Sequence, residues 1–281
     1  MDFELDDGWD VYPIYGNTNK AFMGKKNHQR LFLKRNASPF LAALSMEEIT
    51  PRLIWTKRIS SGDTLTAQEW LNGQTLTKQQ MRLPEVAHLL ARVHNSELLH
   101  RMLRKVGGQS VRPQDFIQQY LQDLPDDLRH HPLMARVLDE LRGTAPTLPA
   151  TDYRVCHGDL NHKNWLLSDR QQLYLVDWDS ARFADPASDI SMLLCEYVPL
   201  SDWQQWLSEY GETMTTALRT RVVWYAKINL LLNIKDNYYR NQYHQMNHEI
   251  IFLEELSQYE VLRRATKSPR VPDGIRGDFV E

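Results

Sequence analysis

The feature that most constrains the fold is a change of hydrophobic period near residue 72. Before that point the apolar residues come in short runs separated by turn residues. Residues 11–15 run into Gly16-Asn17, residues 20–24 follow, the polar stretch 25–29 precedes residues 31–34, and a loop then ends at Pro39. Runs of this kind are the pattern of short antiparallel strands. Residues 45–55 carry Ile49, Leu53 and Ile54 at helix-like spacing, with Pro51 limiting the regularity. Residues 65–71 read as another strand, closed by a turn at Asn72-Gly73.

Beyond residue 72 the period becomes 3.6. Thr77 with Gln80 fits a helix-start capping pair. Val86, Leu89, Leu90 and Val93 form one apolar stripe, and Leu133, Met134, Val137, Leu138 and Leu141 form another that ends at Gly143. A proline-containing linker at 144–150 leads to short strands around 153–157, 165–167 and 173–177, and the chain reads as helical from Asp189 to about Arg264. The expectation is an α+β molecule: an antiparallel-sheet N-terminal lobe over 1–70, a larger helical C-terminal lobe over 71–265, and a mobile polar tail over 266–281. A hinge near 69–73 would place a ligand cleft between the lobes.

Composition narrows the function classes. A net charge of −3 over 281 residues supplies no global attraction for nucleic acid or an anionic membrane. No apolar run approaches the roughly 20 residues of a membrane span. The opening MDFELDDGWD is acidic and lacks a basic-then-apolar leader. With only Cys156 and Cys195, no disulfide framework is expected, which fits a reducing cytoplasm. His244 and His248 stand four apart on a helix, but Gln245 occupies the position where a zinc protease needs Glu, so no zinc site is expected. Cys156 lies in an apolar strand and is expected to be buried and inert.

The strongest local signal is HGDLNHKN at 157–164, followed by Val176-Asp177-Trp178-Asp179. Phosphoryl transfer from ATP needs a carboxylate to take the proton of the attacking hydroxyl, oxygen ligands for Mg²⁺, and a cation for the phosphates that stay behind. An Asp, an Asn five residues on, and an Asp ending the next strand meet the first two needs, since Mg²⁺ prefers hard oxygen ligands.

These residues, with HGDLNHKNWLL and LVDWDSA around them, resemble the aminoglycoside phosphotransferase and choline kinase family of the protein-kinase-like fold. KRNASPFLAAL, AQEWLNGQ and VDWDSAR are most similar to its bacterial cell-cycle-regulator kinase subgroup. The resemblance spans residues 10–260 and implies an ATP- and Mg²⁺-dependent small-molecule kinase. Asp159 would be the catalytic base, Asn164 and Asp177 the metal ligands, His157 a brace of the loop, and Asp189 a brace of the following helix. Lys34 would contact the α- and β-phosphates and pair with Glu47, with Glu48 the alternative; Glu69, Trp70 and Leu71 would be the hinge that meets adenine.

The subgroup also implies a pentose acceptor such as ribose or deoxyribose, cell-division or replication-initiation partner proteins, and a place at the division site. Choline or an aminoglycoside is the alternative acceptor, and a nucleotide-binding scaffold without turnover is the alternative role. Two departures from the family pattern stand out. Only Gly16-Asn17-Thr18-Asn19 is present where protein kinases have a glycine-rich loop, and no A-P-E segment follows Asp177, which argues against a protein substrate.

Overall fold

The structure is a computed structural model that describes residues 8–14, 21–59 and 61–267. Its first part is strand-rich. Strands β1 (Asp10–Pro13), β2 (Ala21–Lys26) and β3 (Gln29–Arg35) are followed by the short helix α1 (Phe40–Met46), then by β4 (Leu53–Arg58) and β5 (Thr64–Glu69). These five strands form one antiparallel sheet in the order β1-β2-β3-β5-β4. Val11, Leu33, Leu65 and Ala67 are buried together on it, with Phe22, Leu31 and Trp55 packed against them. The expected turn at residues 16–19 lies outside the described residues.

The helix expected over 45–55 is not there. The helix lies earlier, at α1, and the chain turns through Glu48 (φ 54°) before entering β4 as a strand. Pro51 has no N–H to donate and disfavours helical geometry at Thr50. Leu53 and Trp55 are half-buried while Ile54 is exposed, which is a period of two. Ser45 Oγ accepts the Leu53 amide at 2.8 Å and closes the turn.

Gly73 belongs not to a closing turn but to β6 (Gly73–Thr75), which pairs with a later strand. Thr77 and Gln80 do cap one another, Gln80 Oε1 accepting the Thr77 amide at 2.9 Å and Thr77 Oγ1 the Gln80 amide at 3.3 Å. They cap only one 3₁₀ turn, Gln80–Arg82, because Leu83 is extended and Pro84 starts the next helix.

Helices α2 (Pro84–Asn95), α3 (Glu97–Lys105), α4 (Pro113–Leu121), α5 (Asp126–Arg129) and α6 (Pro132–Gly143) follow. Next come β7 (Arg154–Cys156), β8 (Trp165–Ser168), β9 (Leu173–Leu175) and β10 (Arg182–Ala184), then α7 (Ala187–Tyr197), α8 (Trp203–Tyr210), α9 (Thr216–Tyr239) and α10 (Tyr243–Lys267). Strands β6, β8 and β9 form one small sheet, and β7 pairs antiparallel with β10, a strand the sequence reading missed. Among the described residues, no helix is long and apolar enough to cross a membrane. Of the expected tail, residues 268–281 lie outside the described residues.

Two compact units emerge. The first comprises the chain up to Phe116 together with Thr144–Ala226; the second comprises Ile117–Gly143 and the chain from Lys227 onward. The first unit contains all three sheets. In the second, buried Lys227 donates to Glu140 at 2.7 Å, and Asn237 donates to Glu249 at 2.9 Å. Lys235 donates to the carbonyls of Gln119, Tyr120 and Gln122, capping the end of α4.

Candidate active site

The loop after β7 is held from below by one buried carboxylate. Asp189, in the first turn of α7, is fully buried and accepts the amides of His157 (2.7 Å) and Gly158 (3.0 Å) on its two oxygens. Gly158 has φ +80°, and a Cβ there would stand 2.9 Å from both the Ser180 carbonyl and the Arg182 guanidinium carbon. Only glycine meets both conditions at low cost. Burial alone would raise the Asp189 carboxyl, but the hydrogen bond and charge of His94 hold it below the ordinary carboxylate range. His94 in turn is buried between Asp189 (Nε2 to Oδ2, 3.3 Å) and the Tyr210 hydroxyl (Nδ1 to Oη, 2.7 Å).

His157 ties the loop to the end of β9. Its Nε2 donates to the Val176 carbonyl at 2.9 Å, and its Nδ1 accepts the Asp159 amide at 3.2 Å. Those partners define the neutral ring with the proton on Nε2. Burial lowers the imidazole's proton affinity in the same direction. Cys156, just before, is fully buried, and burial pushes its thiol well up, so it is a protonated core residue.

Beyond this brace Asp159 is exposed and its carboxylate is aimed by two amides. Asn161 Nδ2 donates to Oδ1 at 2.8 Å and Asn164 Nδ2 to Oδ2 at 3.2 Å. Asn164 also donates to the Asp159 carbonyl at 2.9 Å, which turns its amide oxygen away from Asp159. Asn161 additionally caps the single turn His162–Asn164 by accepting the Lys163 amide at 3.0 Å. The Val176 amide donates to the Asn164 carbonyl at 2.9 Å, so the end of β9 lies against the loop.

Asp177 follows in left-handed geometry (φ 64°, ψ 63°), a conformation that Asp tolerates better than most residues. The next turn, Trp178–Ser180, is anchored by the Trp178 indole, which donates to the Leu175 carbonyl at 2.9 Å. The indole also meets Phe40 and His157 edge to face, with ring centroids 5.9 and 4.6 Å away. Lys34, from β3, donates to both neighbouring acids: Nζ stands 3.0 Å from Asp177 Oδ1 and 2.9 Å from Asp179 Oδ1. Burial pulls the Lys34 ammonium down, but the hydrogen bonds to Asp179 and Asp177 outweigh it and hold it above its ordinary value.

Of the residues expected in the site, hydrogen bonds link His157, Asp159, Asn164 and Asp189 into one network, and Lys34 reaches Asp177 beside it. Glu47 is not brought to Lys34: its carboxylate accepts the Ser96 hydroxyl at 2.9 Å, at the N-terminus of α3. Glu48 lines an open cavity of about 320 Å³ together with Arg52, Glu69, Trp70, Leu71 and Tyr174. None of Lys34, Asp159, Asn164 or Asp177 lines that cavity. A second cavity, of about 410 Å³, adjoins Lys34, Phe40, Trp178 and Asp179. Sequence reasoning gave no role to Asp179, Asn161 or His94. The first was legible as the second acid of Asp-Trp-Asp, whereas nothing local marked His94 as the partner of a carboxylate 95 residues away.

The antiparallel sheet followed by helices is a protein-kinase-like fold. Residues 16–222 match the model of the phosphotransferase enzyme family. That is well over half of the sequence, and the chain belongs to this family as a small-molecule phosphotransferase.

Solved structures agree on the fold. Choline kinase LicA from Streptococcus pneumoniae is 16% identical, with a TM-score of 0.60 over 88% of this chain and 94% of that one. A putative aminoglycoside phosphotransferase from Ralstonia eutropha is 14% identical, with a TM-score of 0.67 over 91% of this chain and 95% of that one. A spectinomycin phosphotransferase solved with ADP and spectinomycin is 15% identical, with a TM-score of 0.57 over 87% of this chain and 88% of that one.

Proposed function

We propose that the chain transfers the γ-phosphoryl group of ATP to a hydroxyl of a small neutral acceptor, a pentose such as ribose or deoxyribose. The observation that carries the phosphoryl-transfer reading is the carboxylate of Asp159, exposed and oriented by Asn161 and Asn164, with Asp177 following the Val176 amide that meets the Asn164 carbonyl. A hydroxyl oxygen attacks the γ-phosphorus, the bond to the β,γ-bridging oxygen breaks, ADP leaves, and the hydroxyl proton passes to Asp159. Asn164 and Asp177 would hold Mg²⁺, which would neutralise phosphate charge. The donor set fits that ion: one carboxylate, about half exposed, and one amide oxygen facing away from Asp159. Lys34 would contact the phosphates, and Glu69–Leu71 would meet adenine through backbone atoms. In this reading residues 1–70 hold nucleotide, and residues 71–265 carry the catalytic loop and the acceptor.

The pentose acceptor rests on the likeness of KRNASPFLAAL, AQEWLNGQ and VDWDSAR to the cell-cycle-regulator kinases. The same likeness supports replication-initiation or cell-division proteins as partners and a cytoplasmic site at the division plane. Within residues 222–243, Lys227, Lys235 and Asn237 are committed to partners inside the second unit. A choline or aminoglycoside acceptor is the second reading, favoured by the likeness to a choline kinase and to aminoglycoside and spectinomycin phosphotransferases. ADP release measured with ribose, deoxyribose, choline and kanamycin separates the two. Turnover on a pentose is expected; turnover on choline or kanamycin alone would overturn the pentose reading.

A further inference from the structure

The geometry points to Asp179 as the acid that positions Lys34 for nucleotide, in the role that the resemblance assigned to Glu47 or Glu48. This inference rests on the ATP-binding reading above. Glu47 is tied to Ser96 and through its carbonyl to Arg92, and Glu48 faces a cavity that Lys34 does not line. Lys34 Nζ has two acid partners, Asp177 and Asp179, at nearly equal distances. If Asp177 is taken by a metal ion, Asp179 is the one that remains.

The position of Asp179 is built, not incidental. It sits one residue beyond Trp178, whose indole is buried, hydrogen-bonded to Leu175 and packed on Phe40 and His157. The left-handed Asp177 and the anchored Trp178 together direct both flanking carboxylates toward one ammonium. A short α1 contributes to this arrangement through Phe40, which packs on the indole, and not through a glutamate on the lysine. Asp179 is thus a positioning residue: it acts on phosphate only through Lys34, by holding the flexible lysine stem extended before nucleotide arrives.

Calorimetry with Mg²⁺–ATP on four proteins tests this: wild type, Asp179→Asn, Lys34→Met and the double variant. Asp179→Asn should weaken binding roughly ten-fold, the low end for a charged hydrogen bond at a half-exposed site. In the Lys34→Met background the same change should cost less than about two-fold, because the residue it positions is gone. Asp179→Glu should recover part of the loss, while Glu47→Ala and Lys34→Met should combine additively. Thermal unfolding run in parallel reports whether each variant is folded.

Equal losses in the two backgrounds, or tighter binding by Asp179→Asn, would overturn the inference. So would recovery at raised Mg²⁺, which would make Asp179 a metal ligand. Wild type that fails to bind Mg²⁺–ATP would instead bring down the nucleotide reading beneath it.

Discussion

Asp159 shows how far a single side chain's role can be read from its contacts. Both of its oxygens already accept amide hydrogens, so the carboxylate is oriented before any substrate arrives. In the proposed mechanism Asp159 is the base, and base catalysis contributes on the order of 10²–10⁴-fold. Asp159→Asn is therefore expected to lower kcat by about that factor while Mg²⁺–ATP affinity stays within a few-fold, because the base does not hold the nucleotide. Rapid-quench kinetics beside calorimetry would check both halves, and near-normal turnover would remove Asp159 from the mechanism. Asp177→Ala should behave differently and lose Mg²⁺–ATP affinity and turnover together. Asn164→Ala should do the same more mildly, since a neutral amide binds a cation less strongly than a carboxylate does. Titrations with and without Mg²⁺ would separate these variants, and unchanged affinity in Asp177→Ala would rule out its metal role.

At the scale of elements, the strand pair β6–β8 depends on a close backbone approach. A Cβ on Gly73 would stand 2.4 Å from the Leu167 carbonyl oxygen and 3.0 Å from Ser168 Cα, both backbone atoms that cannot swing aside. Gly73→Ala is accordingly expected to destabilise the protein by about 1–3 kcal/mol through overpacking. A fall in the thermal midpoint would show it, and an unchanged midpoint would mean that the strands separate without cost. The sequence had marked Gly73 as a turn glycine, a reasonable reading of Asn-Gly. The partner strand lies some 90 residues further on, and no local pattern records that approach.

Across the whole molecule, acid should act through the groups beneath the loop. His157 has its proton affinity lowered by burial, so the folded state prefers the neutral ring that the unfolded chain would protonate below about pH 6.5. Its contribution is complete above that pH and declines as pH falls. Asp189 has its carboxyl lowered, so its contribution is present above the ordinary carboxylate range and is lost on further acidification. Both act in the same sense. Urea midpoints followed from pH 8 to 4 should fall with pH, and His157→Asn should flatten the part that begins below roughly 6.5. An unaltered slope in that variant would show that His157 does not govern this window.

The sequence by itself determined the class of fold, because that is written in local patterns. Short apolar runs set the strands, 3.6-residue stripes set the helices, and the spacing of Asp159, Asn164 and Asp177 fits one short loop with the strand end beside it. Even the capping pair Thr77–Gln80 was legible, although its helix stopped after one turn. Where periodicity was weak, around Pro51, the reading placed a helix on a strand, since one proline-broken segment carries too few residues to distinguish periods of 2 and 3.6. Tertiary structure alone decided what the acids do. The ammonium of Lys34 meets Asp177 and Asp179, not Glu47, and Asp189 meets His94 and the loop amides, across separations of 31 to 145 residues. Charge pairing depends on distance in space, and sequence neighbours such as Glu47 and Glu48 become distinguishable only once the chain has turned one toward Ser96 and the other toward a separate cavity.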